Sequence, residues 1–223
     1  MLPTRALNFH GIGSPGRLLE DGEARYWLSE AVFEDLVSRI ARWSLEQEIL
    51  LTFDDGNRSD IEIAAPVLAR RGLTGRIFVL TGRLGAPGSL DRADIRTLDE
   101  AGFAIGSHGM DHVDWRTASP ETLTRELSRS RSVLEDILER PVSEVAIPFG
   151  SYDARVLRAV RDAGYTAAWT SDGGPLDPAA FVRPRLSVRA DMDWRAVQSA
   201  LQGGEGLGRR LRRRLSMLGK RLF

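Results

Sequence analysis

A chain of 223 residues with 42% hydrophobic content can bury one substantial core, and it fits a single α/β domain better than two small ones. It has no cysteine, which excludes disulfides, thiolate nucleophiles, iron–sulfur clusters and thiolate-bound structural zinc, so any metal must take nitrogen and oxygen ligands. The 31 basic and 31 acidic residues cancel unevenly, because residues 209–223 hold seven basic residues and no acid, leaving a body with 24 basic against 31 acidic residues, a net of −7.

Strand and helix patterns alternate along the chain with short punctuated connections, the signature of a βα architecture with a parallel sheet. The first strand is expected at Ala6–His10, running into Gly11-Ile12-Gly13. Ser29 reads as the N-cap of a helix in which Phe33, Leu36, Val37 and Ile40 repeat at helical spacing. The apolar strand Glu48–Phe53 delivers Asp54 and Asp55 at its C-terminal end. A helix over Ile61–Arg71 leads to the strand Gly75–Leu80, and a helix over Asp91–Ala101 leads to Phe103–Gly106, which hands over to Ser107 and His108. The longest helix is expected from Pro120 to Glu139, followed by the strand Val145–Ile147 and Pro148-Phe149-Gly150. Ala154–Ala163 reads as helix, Ala167–Thr170 as strand, Asp172-Gly173-Gly174-Pro175 as loop, and Arg185–Val188 as the last of about seven strands. Residues 1–203 form one expected domain, and the glycine-rich stretch from Gly203 to Gly208 separates it from the basic tail.

The polar residues fall on one edge. His10, Asp54, Asp55, His108, the Pro148-Phe149-Gly150 turn and Asp172 all lie at or just past the C-terminal ends of expected parallel strands, which in βα barrels is where active sites are built. Each group alone has an ordinary structural account: Asp-Asp-Gly as a turn, Pro-Phe-Gly as another, a histidine packed in a core. Their ordered combination points to an enzyme. Only three histidines occur, and His108 and His112 sit four apart, where an opening helical turn would point both imidazoles the same way and toward one metal ion.

Thr52-Phe53-Asp54-Asp55-Gly56, Ser107-His108-Gly109-Met110-Asp111-His112 and Pro148-Phe149-Gly150 together resemble the motifs of the polysaccharide deacetylases of the NodB-homology type, a family of metal-dependent carbohydrate esterases. The resemblance runs from about Glu48 to Asp172. It implies a distorted (β/α) barrel with about seven parallel strands, Asp54 as general base, and Asp55, His108 and His112 as ligands of one divalent metal. Zinc is the first expectation, with cobalt, nickel, iron or manganese also admitted by the donor set. The resemblance further implies that the backbone N–H of Phe149 helps to hold the oxyanion.

Two features depart from the better-known members, which carry an acid histidine late in the chain and an arginine two residues before the third-motif proline. No histidine follows His112, and Ala146 stands in that arginine's place. The remaining histidine, His10, resembles the N-terminal acid histidine of deacetylases that act on exopolysaccharides, and is the candidate general acid. Arg183-Pro184-Arg185 is a candidate source of the missing arginine, and Asp172 is a candidate to orient an imidazole. Trp115 and Trp169 fit either a sugar cleft or the core.

The expected activity is removal of N-acetyl groups from amino sugars of a polysaccharide, an oligosaccharide or a lipid-linked glycan precursor, in exopolysaccharide biosynthesis. Two alternatives are a non-catalytic carbohydrate-binding relative within a glycan-synthesis complex and an amidohydrolase acting on a small cyclic amide. In the tail, residues 204–223, Leu207, Leu211, Leu215, Leu218 and Leu222 follow one helical face with arginines on the others, as on a helix lying on anionic lipid; the same leucines would equally cover the domain's own core. Nucleic acid is not expected, since the tail has no interleaved aromatics and the body is acidic. With neither a signal-peptide pattern at Met1–Ala6 nor an apolar run near the roughly 18 residues of a membrane span, the expected location is the cytoplasm, peripheral to the inner face of the membrane.

Overall fold

The computed structural model describes residues 3–43 and 47–204, together with Met217, Gly219 and Lys220. Its frame is one sheet of eight parallel strands, curled into a nearly closed barrel in the order β7-β6-β5-β4-β3-β2-β1-β8. The strands are β1 (Arg5–Phe9), β2 (Ile49–Phe53), β3 (Arg76–Val79), β4 (Ala104–Ser107), β5 (Glu144–Ala146), β6 (Ala167–Thr170), β7 (Val182–Pro184) and β8 (Leu186–Ser187). The helices α1 (Glu30–Trp43), α2 (Ala65–Ala69), α3 (Arg92–Glu100), α4 (Pro120–Leu138), α5 (Ala154–Asp162) and α6 (Trp194–Leu201) connect or flank them. The Ser29 hydroxyl accepts the Val32 amide at 3.3 Å at the start of α1, as expected of its N-cap. Asp91 closes a capping box with Asp94 at the start of α3, and the hydroxyl of Ser119 accepts the Thr122 amide at the start of α4.

Alternation along each strand divides the core into two clusters. Leu7, Phe9, Leu51, Phe53 and Val145 point outward to the helix layer, where α1 contributes Phe33, Leu36, Val37 and Ile40. Ala6, Phe78, Ala146, Trp169 and Leu176 form a separate, smaller cluster, the apolar plug of the barrel interior. Asn8 and Thr52 share that inward face by period two. Above the plug the interior turns polar, and the strand ends that carry the chemistry open there.

The strand count differs from the expected seven at one place. The segment read as a last strand over Arg185–Val188 holds β8 alone, and the additional strand is β7, just before it; the two belong to different edges of the sheet. β7 pairs with β6, β8 pairs with β1 through Leu7↔Leu186 and Asn8↔Ser187, and Arg185 stands alone between them. The chain itself crosses the barrel's open seam at that residue. A single strand cannot pair with both β6 and β1, so the chain breaks at Arg185 into two short strands.

Inside the fold sits one uncompensated carboxyl. Asp60 begins a wide π-type turn, Asp60–Ala64, that leads into α2. It is fully buried, and neither side-chain oxygen has a hydrogen-bond partner of good geometry among the described residues. Burial pushes its pKa well above the ordinary value; the Asp55 charge adds to this, the Asn57 backbone works against it, and the Asp54 charge adds further. A raised carboxyl pKa leaves the folded state unpenalised below the unfolded pKa and increasingly penalised as pH rises above it. Asp60→Asn is therefore expected to match the wild type in urea unfolding near pH 4, measured on metal-free protein. It should become the more stable of the two as pH rises to 7, and an unchanged difference across that range would refute the burial argument.

Candidate active site

Parallel register brings the expected residues to one rim. Phe9 pairs with Phe53, so His10 and Asp54 leave adjacent strands side by side, and the Asp54 amide donates to the Phe9 carbonyl at 3.0 Å. His108 follows β4, with its amide donating to the Val79 carbonyl at 2.9 Å. Phe149 follows β5 in the Pro148–Gly150 turn. His10, Asp54, Asp55, His108, His112 and Phe149 all line a cavity of about 320 Å³, whose lining also includes Glu20, Tyr26 and Ser187.

Asp55, His108 and His112 lie as a group, with one ligand atom from each within 4.8 Å of the others. His108 Nε2 is 3.6 Å and His112 Nε2 3.8 Å from Asp55 Oδ1. These separations approach the roughly 3.3 Å between donors around a tetrahedral zinc ion. Both Nδ1 atoms are already engaged, that of His108 with the Ala146 carbonyl at 2.9 Å and that of His112 with Glu20 Oε2 at 2.7 Å. The Nε2 atoms are thus the ones turned to Asp55, whose Oδ1 is buried without a hydrogen-bond partner among the described residues. Burial, the strongest influence on His108, lowers its pKa despite the nearby carboxylates, and a neutral imidazole is the form that binds metal. Two nitrogens and one orphaned carboxylate oxygen fit a divalent cation.

The local backbone differs from the expected helical turn between the two histidines. Gly109 takes φ 85° and His112 φ 54°, so the segment is a loop. The buried Glu126 of α4 holds this loop by accepting the amides of Met110 at 2.8 Å and Asp111 at 3.2 Å. Of the four non-glycine residues with positive φ among those described, three are Asp55, His112 and Phe149. Such strain costs on the order of 1–3 kcal/mol per residue and concentrates where function over-determines the backbone.

Asp54 is held differently from its neighbour. Arg185 Nη1 donates to its Oδ1 at 2.6 Å and Nη2 to its Oδ2 at 2.8 Å, a two-pronged contact, while Asn8 Nδ2 donates to Oδ2 at 2.9 Å. Asn8 Oδ1 in turn accepts from Arg185 Nη1 at 2.9 Å and from the Thr52 hydroxyl at 2.8 Å. Arg185 is 0% and Asp54 3% exposed, and the guanidinium lies over Phe78, 5.3 Å from the ring centroid. Burial, the largest influence, works to raise the Asp54 pKa. The charge of Arg185, then that of His108, the Arg185 hydrogen bonds and the charge of His10 outweigh it and hold the carboxyl well below the ordinary range. Ala146, the residue in the expected arginine's place, belongs to the apolar plug below. The guanidinium arrives instead from the seam.

The other candidates divide. The His10 ring stacks on Tyr26 with centroids 4.8 Å apart, and its Nδ1 is buried without a partner among the described residues. The Phe149 ring is 60% exposed and packs on His112 at 4.3 Å. Trp115 and Trp169 are fully buried and are core residues. Asp172 orients no imidazole: its carboxylate accepts the Tyr152 hydroxyl at 2.7 Å, the Thr170 hydroxyl at 2.8 Å and Lys220 Nζ at 2.9 Å. That lysine contact was not foreseen. The rest of the expected tail helix over 204–223 lies outside the described residues, apart from Gly204, Met217 and Gly219.

Comparison with known proteins identifies the family and the fold. The polysaccharide deacetylase family model matches residues 44–168. The YxkH protein of Bacillus subtilis (strain 168), which carries a polysaccharide deacetylase name, is 26% identical over 209 residues, covering 88% of this chain and 75% of that one. The fold is shared with the deacetylase PplD of Streptococcus pyogenes, solved with acetate (TM-score 0.77, 19% identity, 90% of this chain and 98% of that one). It is shared too with IcaB of Ammonifex degensii (TM-score 0.74, 20% identity, 91% and 98%).

Removing Arg185 would leave a buried, uncompensated carboxylate, and breaking such a pair from one side costs about 3–5 kcal/mol. Arg185→Met is expected to lose that much stability in urea unfolding at pH 7, and the double variant Asp54→Asn with Arg185→Met to regain most of it. A single variant with wild-type stability would show the pair to be energetically idle.

Proposed function

Since the chain belongs to the polysaccharide deacetylase family, we propose that it is a metal-dependent N-deacetylase acting on an acetylated amino sugar of a polysaccharide, oligosaccharide or lipid-linked glycan precursor. The observation that carries this reading is the pairing of two unlike carboxylates at the end of β2. Asp55 is orphaned beside two imidazole Nε2 atoms, while Asp54 is gripped by Arg185 and Asn8. Asp55, His108 and His112 would hold a divalent cation, zinc by preference for this donor set, which would supply a Lewis acid that acidifies water and polarises the acetamide carbonyl.

The protein's own groups account for the proton traffic. Asp54, kept ionised across the neutral range by Arg185, takes a proton from the water that attacks the acetyl carbon. Its two contacts with the guanidinium fix the carboxylate plane, so that it does not rotate away from the water. The Phe149 amide, in a turn whose backbone already holds a left-handed conformation, is the proposed donor to the developing oxyanion. His10 delivers a proton to the leaving nitrogen as the C–N bond breaks, releasing acetate and a free amine. It lines the same cavity as Asp54 and has an unengaged Nδ1.

Acetate release from acetylated amino-sugar oligomers with added zinc, cobalt or nickel tests the reading. Asp54→Asn is expected to abolish it, and equal turnover by this variant and the wild type would end the enzyme hypothesis in favour of a non-catalytic glycan-binding relative. His10→Gln should cost about 10²–10⁴-fold on N-acetyl substrates and little on an aryl acetate ester, whose leaving group needs no proton. An equal loss on both substrates would remove His10 from the role of acid.

The six arginines between 209 and 221 support a contact with anionic lipid on the inner membrane face, each adding about 1 kcal/mol near such a surface. Flotation with vesicles containing anionic lipid should carry the full chain upward at low salt, while vesicles of phosphatidylcholine alone should not. Flotation with neither would withdraw the membrane assignment.

A further inference from the structure

The two candidate metal-binding imidazoles are tethered unequally. His108 Nδ1 meets a backbone carbonyl, whereas His112 Nδ1 meets the carboxylate of Glu20, 92 residues earlier in the chain. Glu20 belongs to the connection between β1 and α1, far from the motifs that hold the rest of the site, and a built scaffold aims it. Its amide donates to Glu23 Oε2 at 2.8 Å, and the Glu23 amide returns a bond to the Glu20 carbonyl at 3.0 Å. Arg17 pairs with Glu23 and also donates to Oδ1 of the buried Asn57 at 3.1 Å, two residues beyond Asp55. The other oxygen of Glu20 pairs with Arg83. That arginine stands in the turn whose Thr81 and Gly82 amides hold the carbonyls of Gly109 and Met110 in the histidine loop.

We propose that Glu20 is a positioning residue of the metal centre: its carboxylate accepts the Nδ1–H of His112, fixing the tautomer that presents Nε2 toward Asp55, and Arg83 fixes the carboxylate. The inference rests on reading Asp55, His108 and His112 as the metal ligands. The physical reason is general. A carboxylate on the far nitrogen of a ligating imidazole sets ring orientation and raises its basicity, and losing such a partner costs about 10–100-fold in metal affinity. His112 needs this support more than His108. It sits at the end of a loop in a left-handed backbone conformation, while His108 is buried directly against its strand.

A merely structural ion pair at the rim would change stability and leave metal binding alone, so the readout is affinity. Zinc binding by the full chain, measured in competition with a chromogenic chelator, should weaken about 10–100-fold in Glu20→Ala and by an intermediate factor in Glu20→Gln, whose amide oxygen still accepts the bond without its charge. Cobalt substitution should show an altered visible absorption spectrum in both variants. Arg83→Ala, which frees only the outer oxygen, should weaken binding less than Glu20→Ala. Affinities of both Glu20 variants within about two-fold of wild type would overturn the role of Glu20 and leave the metal site standing. A wild-type chain that binds no zinc would overturn both. Tight binding without acetate release would sink only the proposed activity, because the Glu20 comparison is decided by affinity.

Discussion

The contact between Arg185 and Asp54 is the constraint on which the site depends. A carboxylate at the mouth of an apolar barrel has no reason to remain charged, since burial works to neutralise it. The guanidinium reverses that outcome and fixes the carboxylate's orientation. It does so from the single residue that crosses the sheet's seam, between a strand paired to β6 and a strand paired to β1. Closure of the barrel and preparation of the proposed base are therefore one event. Asn8 and Thr52, on the inward face of β1 and β2, complete the network, so the polar layer directly above the apolar plug is satisfied from two strands and the seam residue together.

Around that fixed pair the backbone is held in costly shapes. Asp55, His112 and Phe149 adopt left-handed conformations, and each has an identifiable restraint near it. Gly56 packs against Val79, the buried Glu126 grips the histidine loop, and the Phe149 ring lies on His112. Rigid strands bring these residues to the rim, but the loops decide where each donor atom points. Two adjacent aspartates thereby acquire different surroundings, one facing imidazole nitrogens and one facing a guanidinium. The division of labour between them follows from environment rather than residue type.

The sequence carried most of this in its strand ends. Apolar runs stopping at Asp54, Ser107 and Ile147 made the rim readable, because strand periodicity and side-chain chemistry agree there. Arg185 was visible only as one of two arginines flanking a proline, since nothing local tells which way a guanidinium crosses a barrel. Strand β7 is unreadable for a related reason: its three residues pair with β6 only in the closed fold, and so short a segment shows no period of its own. The two histidines were read as one turn of helix, yet Gly109 and the distant Glu126 make a loop, and tertiary contacts overrode local spacing. Glu20 was unreadable, because its loop shows no periodicity and its partner is 92 residues away. Helix α6, with Trp194, Val197 and Leu201 at helical spacing and Asp193 as its cap, is legible in the sequence although no helix is expected there.

The order in which the site is assembled follows from where its parts lie. Asp55, His108 and His112 come from the stretch between β2 and the loop after β4, so a chain folded only that far already holds the proposed ligands. Arg185 lies 131 residues beyond Asp54, and β8 must find β1 across nearly the whole chain before the guanidinium reaches the carboxylate. Contacts of such long sequence separation form late, because loop closure is an entropic cost met before any bond is made. On the proposed roles, a nascent or partly unfolded chain would thus be able to capture metal while the proposed base was still untuned, and hydrolytic competence would be a report on completed folding.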